Sequence, residues 1–129
     1  LIAKEKATGS TSPEDAEKLL TAMAGDAFDA TSPYTPESYD AAALFMFAMQ
    51  AAGSTDPAEY GPKILEVANA PGEQIFPGEL AKGLEILKSG GEIDYVGASG
   101  VELIGPGEAA GTYRHYTITD GAAETVEFK

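Results

Sequence analysis

The 129 residues contain no cysteine, a single histidine, and only 8 basic residues against 21 acidic ones. Without cysteine there is no disulfide framework, no thiolate metal site and no cysteine nucleophile, although many exported proteins also lack it, so the redox compartment stays open. The lone histidine, His115, has neither a nucleophile nor an orienting carboxylate placed for it by sequence, so no catalytic triad can be assembled. It is expected on a surface or interface strand. Transition-metal sites need clustered histidine, cysteine or carboxylate ligands, and calcium needs an oxygen-rich loop; no stretch supplies either. The chain is therefore expected to be non-catalytic, with no metal and no other cofactor.

Long apolar runs are also missing. The longest, Tyr39 to Ala52, is broken by Asp40 and Gln50 and falls short of the roughly 20 residues that span a bilayer. A soluble chain is the expectation. The formal net charge of −13 is spread along the sequence and repels nucleic-acid phosphates and anionic membrane surfaces, so neither is expected as a partner. Its ordinary role is a solvated, soluble exterior. The sequence opens at Leu1 with no initiator methionine and no basic-then-apolar leader.

What is present is an ordered series of helix signals followed by strand signals. Ser12, Pro13, Glu14 and Asp15 form an N-cap, a first-turn proline and acidic residues at the positive end of a helix dipole. Ala16, Leu19, Leu20 and Met23 follow at helical spacing, and Gly25 is a stop, which predicts a helix over 13–24. A loop from Asp26 to Pro33 delivers Tyr34 to a second helix, capped by Thr35 and opened by Pro36. That helix is nearly all apolar from Tyr39 to Ala52 and is expected to be covered on several sides, more than a free-standing small domain usually provides.

Gly53 ends that helix. Asp56, Pro57 and Glu59 then spell an N-cap, a first helical residue and a capping box. Pro62 lies six positions in, so a short turn over 57–60 and a separate helix over 62–69 are predicted. Pro71 to Pro77 reads as a loop. Leu80, Leu84 and Leu87 mark an amphipathic helix over 78–88, closed by Ser89, Gly90 and Gly91. Beyond it the period becomes alternating: short strand pieces flank the turn Gly97 to Gly100, and two runs, Tyr113 to Ile118 and Glu124 to Phe128, flank Asp120-Gly121. An Asp-Gly pair between such runs is a hairpin signal. Helices first and strands last would by themselves suggest an α+β domain.

Other candidates resolve to local roles. Gly105 to Gly111 superficially suggests a phosphate loop, but it lacks lysine, its spacing is wrong and Glu108 would oppose an anion, so a turn between strands is expected. The carboxylate pairs Glu14/Asp15 and Glu37/Asp40 sit where helix starts and solvated faces want them, rather than as an acid–base couple. Tyr34 stands before the second helix, where it can pack as a hydrophobic staple against Tyr39 or form the lip of a pocket.

Tyr34, Glu37-Ser38-Tyr39-Asp40-Ala41, Ala52 to Pro57, Gly91 to Gly100, Gly107-Glu108 and Tyr113 to Gly121 together, in that order and spacing, resemble the C-terminal third of a family. The family is the branched-chain amino acid class of periplasmic substrate-binding proteins that feed ABC transporters. The resemblance covers residues 33 to 129; residues 1 to 32 match loosely. It implies an α/β architecture, the C-terminal portion of a two-lobed type I periplasmic-binding fold. On that scheme residues 1–112 belong to the first lobe with a hinge crossing, and residues 113–129 form a terminal β-hairpin that returns to the second. It further implies an amino acid-like ligand held between the lobes, a membrane permease as partner, a periplasmic location and an N-terminal part of the same protein. Tyr34 matches an aromatic that lines the family's ligand cleft, and Glu37 stands where it could face the same cleft. The groups that hold the ligand's carboxylate and ammonium fall mostly outside these residues. A ligand-sensing receptor domain of the same fold is the alternative; the absence of an apolar tail after Lys129 favours the transporter version.

Overall fold

A computed structural model describes residues 13–25, 27, 29, 32–110 and 114–128. Four helices can be followed: α1 (Pro13–Ala24), α2 (Thr35–Ala52), α3 (Pro57–Ala68) and α4 (Leu80–Lys88). Six short strands accompany them: β1 (Glu73–Ile75), β2 (Ile93–Tyr95), β3 (Glu102–Gly105), β4 (Glu108–Ala110), β5 (Arg114–Thr119) and β6 (Ala122–Phe128). Among these residues no helix is long and apolar enough to cross a membrane.

The centre is a β1–α4–β2 unit, with β1 and β2 hydrogen-bonded in parallel and Ile75 opposite Tyr95. Parallel neighbours require a crossover, and α4 supplies it. This unit, beside two antiparallel pairs, makes the chain mixed α/β, compatible with a portion of the α/β fold that the resemblance implied. It also corrects the loop expected over Pro71 to Pro77, which contains β1. Three residues are too few for alternation to register, and only Ile75 of β1 is buried. The strand exists because β2 offers it a ladder, a tertiary cause invisible to local pattern.

Ile75, Ile93 and Tyr95 are buried with Ala43, Leu44, Phe47, Ala48, Val67 and Ala68 in one core. The Phe47 and Tyr95 rings lie 5.3 Å apart, tilted, and burying each large side chain contributes on the order of 2 kcal/mol. Gly83 lets α4 approach this core: a Cβ there would stand 2.6 Å from the Phe47 ring. A smaller cluster joins Leu20 and Ala24 of α1 to Ala98 and half-buried Tyr39.

α2 ends as expected, at Gly53, whose φ is 63°. Gly53 N–H donates to the Gln50 carbonyl and Ser54 N–H to the Met49 carbonyl, both at 3.2 Å, the pair that defines a Schellman stop. Its start differs from expectation. Tyr34, not Thr35, is the cap residue, in a left-handed conformation with no side-chain cap bond. Nor is α2 enclosed on several sides: Phe47 is fully buried, whereas Phe45 is 46% and Met46 37% exposed.

α3 is continuous through Pro62, correcting the predicted break. Proline at 62 removes one bond, to the Ala58 carbonyl, and both residues are exposed, so water can serve that carbonyl. The same helix packs against α2 along its length, which offsets the cost of the proline. Asp56 caps α3 by accepting from Ala58 N–H at 2.9 Å, but the Asp56 N–H donates to Ser54 Oγ at 3.1 Å rather than to Glu59. At the other end, Asn69 accepts from Leu103 N–H at 3.0 Å and donates to its carbonyl at 2.7 Å, tying β3 to α3.

α1 matches its predicted span, α4 starts two residues later than the predicted 78, and the turn expected within Gly105 to Gly111 is Pro106-Gly107, between the paired strands β3 and β4. The Ser12 cap lies outside the described residues. β5 and β6 pair antiparallel with Thr119 opposite Ala122. Asp120 and Gly121 have φ of 52° and 81°, the doubly positive pattern of a tight type I′ turn. Every described side chain of β5 and β6 is exposed; His115 Nδ1 lies 3.3 Å from Glu127 Oε1.

Candidate ligand-binding site

In open α/β arrangements ligands bind beyond the carboxyl ends of parallel strands. Here those ends lead into Phe76-Pro77-Gly78 after β1 and Val96 to Gly100 after β2, and the first turns of α2 lie over both. Tyr39 Oη accepts from Gly78 N–H at 2.8 Å. Asp40, only 2% exposed, accepts from Tyr95 Oη at 2.8 Å, Ala98 N–H at 2.7 Å, Ser99 N–H at 2.7 Å and Ser99 Oγ at 2.6 Å. The turn after β2 must fold back on itself to present two successive N–H groups to one carboxylate. Gly97, with φ of 68°, provides that bend, and a Cβ on it would lie 2.5 Å from Asp40 Oδ1.

Asp40 is therefore not on a solvated face, the place expected for it. The signal was available in part: it is the only charged residue in an apolar run, and Gly97-Ala98-Ser99 is a turn whose small residues leave N–H groups in need of an acceptor. What sequence could not supply was their meeting across more than fifty positions. Among the described residues no buried side-chain polar atom lacks a partner. The network also shifts its tyrosines. Burial, and then the neighbouring Asp40 charge, raises the Tyr95 hydroxyl well above the ordinary tyrosine range. Tyr39 is raised by burial, partly offset by the Gly78 N–H, with a further upward push from Asp40.

Beside this network, Leu20, Pro33, Tyr34, Thr35, Ser38 and Tyr39 line an open groove of about 390 Å³. The volume accommodates a small molecule. The lining offers two aromatic rings and several hydroxyls but no charge, so it can hold an apolar or hydroxylated portion of a ligand and cannot by itself neutralise a zwitterion. Tyr34 is 77% exposed at φ 68°, ψ 5°, a conformation that costs a bulky L-residue about 1–2 kcal/mol. Glu37 is exposed on the first turn of α2 and is not among the lining residues. The structure thus places Tyr34 in the groove and Glu37 outside its wall. His115 and the β5–β6 strands take no part in it. No group of three or more metal-ligating side chains occurs among the described residues.

Over 102 residues the chain is 33% identical to the chemotactic signal transduction system substrate-binding protein BasB of Halobacterium salinarum. The chain is related to a substrate-binding protein. The matched stretch takes in 77% of this chain but only 25% of BasB, so these residues correspond to about a quarter of that relative. No protein-family model matches the chain, and no solved structure matches it.

Proposed function

We propose that these residues are the C-terminal portion of a binding protein of the branched-chain amino acid class, which closes two lobes on an amino acid-like ligand. The observation that carries the binding-protein part of this reading is the likeness to BasB, a named substrate-binding protein; the amino acid class rests on the sequence resemblance. The groove lined by Tyr34, Ser38 and Tyr39, between α1 and the start of α2, supports this reading as a surface that could meet such a ligand. On this reading residues 1–112 belong to one lobe with a hinge crossing, residues 113–129 return to the other, and the charged groups for the ligand lie elsewhere in the polypeptide. Tyr34 contributes a ring to the ligand, and Glu37 a carboxylate at the cleft's edge once the lobes close. The protein acts outside the cytoplasmic membrane, has no catalytic activity, and delivers its ligand to the permease of an ABC importer.

A second reading changes only the receiver. BasB is named as the substrate-binding protein of a chemotactic signal transduction system, which favours presentation of the bound ligand to a membrane receptor instead of a permease.

The test is a thermal-shift screen of amino acids and small carboxylates on the full-length polypeptide, where a ligand at a hundred times its Kd stabilises by about 2.7 kcal/mol. The isolated chain should bind the same ligand weakly at best, and tight one-to-one binding by it in a calorimeter would overturn the divided cleft. Tyr34→Gly separates strain from contact: glycine relieves the left-handed conformation, so melting temperature should rise without ligand while the ligand-induced shift shrinks. An undiminished ligand shift would remove Tyr34 from the site.

A further inference from the structure

We infer that the exposed face of α2, made by Ala41, Ala42, Phe45 and Met46, is a seat for another segment of a longer polypeptide containing these residues. The inference rests on the binding-protein reading and extends it to a surface.

The four positions fall at i, i+1, i+4 and i+5, one stripe of the helix; the residues buried in the core, Ala43, Leu44, Phe47 and Ala48, form the opposite face. A solvated helix wall ordinarily carries charge. Charged residues make up 22% of the chain, yet none occurs from Ala41 to Ala52. The patch continues onto α3, because the Phe45 ring meets Tyr60 edge-on with centroids 6.0 Å apart. Contiguous apolar surface of this kind marks a contact site.

Charge and length decide the occupant. A second copy would bring another net charge of −13 to the complex, and that self-repulsion opposes a homodimer. BasB, by contrast, has three quarters of its length beyond the part this chain matches, enough to supply a covering element in the same polypeptide, where no association entropy is lost. Ala41 and Ala42 allow close backbone approach at one end of the stripe, and Phe45 with Met46 form a bulge at the other. The complementary surface is an uncharged helix or sheet face with a recess for those two side chains.

The absence of native cysteine permits a direct test. Ala42→Cys and Met46→Cys are each labelled with a maleimide, with Ala81→Cys on the exposed side of α4 as reference, in this chain and in the full polypeptide made by the source gene. Both sites should react as fast as Ala81→Cys in the short chain and at least tenfold more slowly than it in the full polypeptide. Equal rates in the two contexts would overturn the inference. So would protection in the short chain that is lost on dilution, which identifies a second copy, or a native protein with the intact mass of the short chain. A ligand screen on the Ala81→Cys polypeptide separates the two claims: a protected face without a ligand shift sinks the binding reading alone, and a ligand shift with a reactive face sinks the seat alone.

Discussion

Replacing Asp40 by alanine removes the acceptor for four hydrogen bonds and leaves the Tyr95 hydroxyl and the Ala98 and Ser99 N–H groups facing a cavity. A hydrogen bond to a charged group contributes about 1.5–3 kcal/mol, and a buried donor left without a partner costs about 1–3 kcal/mol. These terms overlap, because one carboxylate serves all four donors, and water can reach half-buried Ser99 after truncation. A net loss of about 3–5 kcal/mol follows, the range seen when one member of a buried charged set is removed. Against a total stability of roughly 5–15 kcal/mol that is a large fraction. With a urea slope of about 2 kcal/mol/M the midpoint should fall by about 2 M, measured by far-UV circular dichroism on the 129-residue chain. Asp40→Asn, which preserves shape but points an amide donor at one of the donor groups, should lose about half as much. Tyr95→Phe removes a single partner and should cost about 1–2 kcal/mol, and combined with Asp40→Ala it should cost less than the sum. An Asp40→Ala chain within about 0.5 kcal/mol of the parent, inside the range of ordinary surface substitutions, would refute the idea that this carboxylate holds the turn after β2 to α2.

Gly97→Ala should cost about 3 kcal/mol by the same assay, since it combines a strained positive φ with a Cβ 2.5 Å from Asp40 Oδ1; a loss below about 1 kcal/mol would mean that the turn can move aside. Alkaline pH should destabilise the fold. The hydroxyls of Tyr39 and Tyr95 are raised in the native state, so their contribution is complete below the unfolded value of about 10 and declines as pH rises beyond it. Above that value the unfolded chain has released protons that the native chain retains, which gives a slope of up to about 1.4 kcal/mol per pH unit for each tyrosine. Tyr95→Phe should make the decline shallower, and an identical slope would remove Tyr95 from the account.

Segments with strong local chemistry were legible. Pro13 to Ala24, with its first-turn proline and terminal glycine, and Leu80 to Lys88, with its leucine spacing, form helices where composition places them. Gly53 stops α2 because left-handed backbone needs no partner elsewhere, and Asp120-Gly121 turns β5 into β6 for the same reason. The candidate groove was legible only at Tyr34, through resemblance, whereas Leu20, Ser38 and Tyr39 join it through the packing of α1 beside the start of α2.

What sequence alone determined, then, were the elements whose ends carry their own caps, together with the absence of any disulfide that follows from lacking cysteine. Tertiary structure decided the rest. Glu73 to Ile75 becomes a strand only because Ile93 to Tyr95 lies parallel to it; Pro62 stays within a helix because α3 is held against α2; Asp40 is buried because four donors converge from across the chain. Caps and tight turns satisfy backbone groups within a few residues, so their energetics are local and readable. Ladders, buried carboxylates and the covered side of an apolar helix draw their free energy from partners distant in sequence, and only the folded chain says which partners arrive.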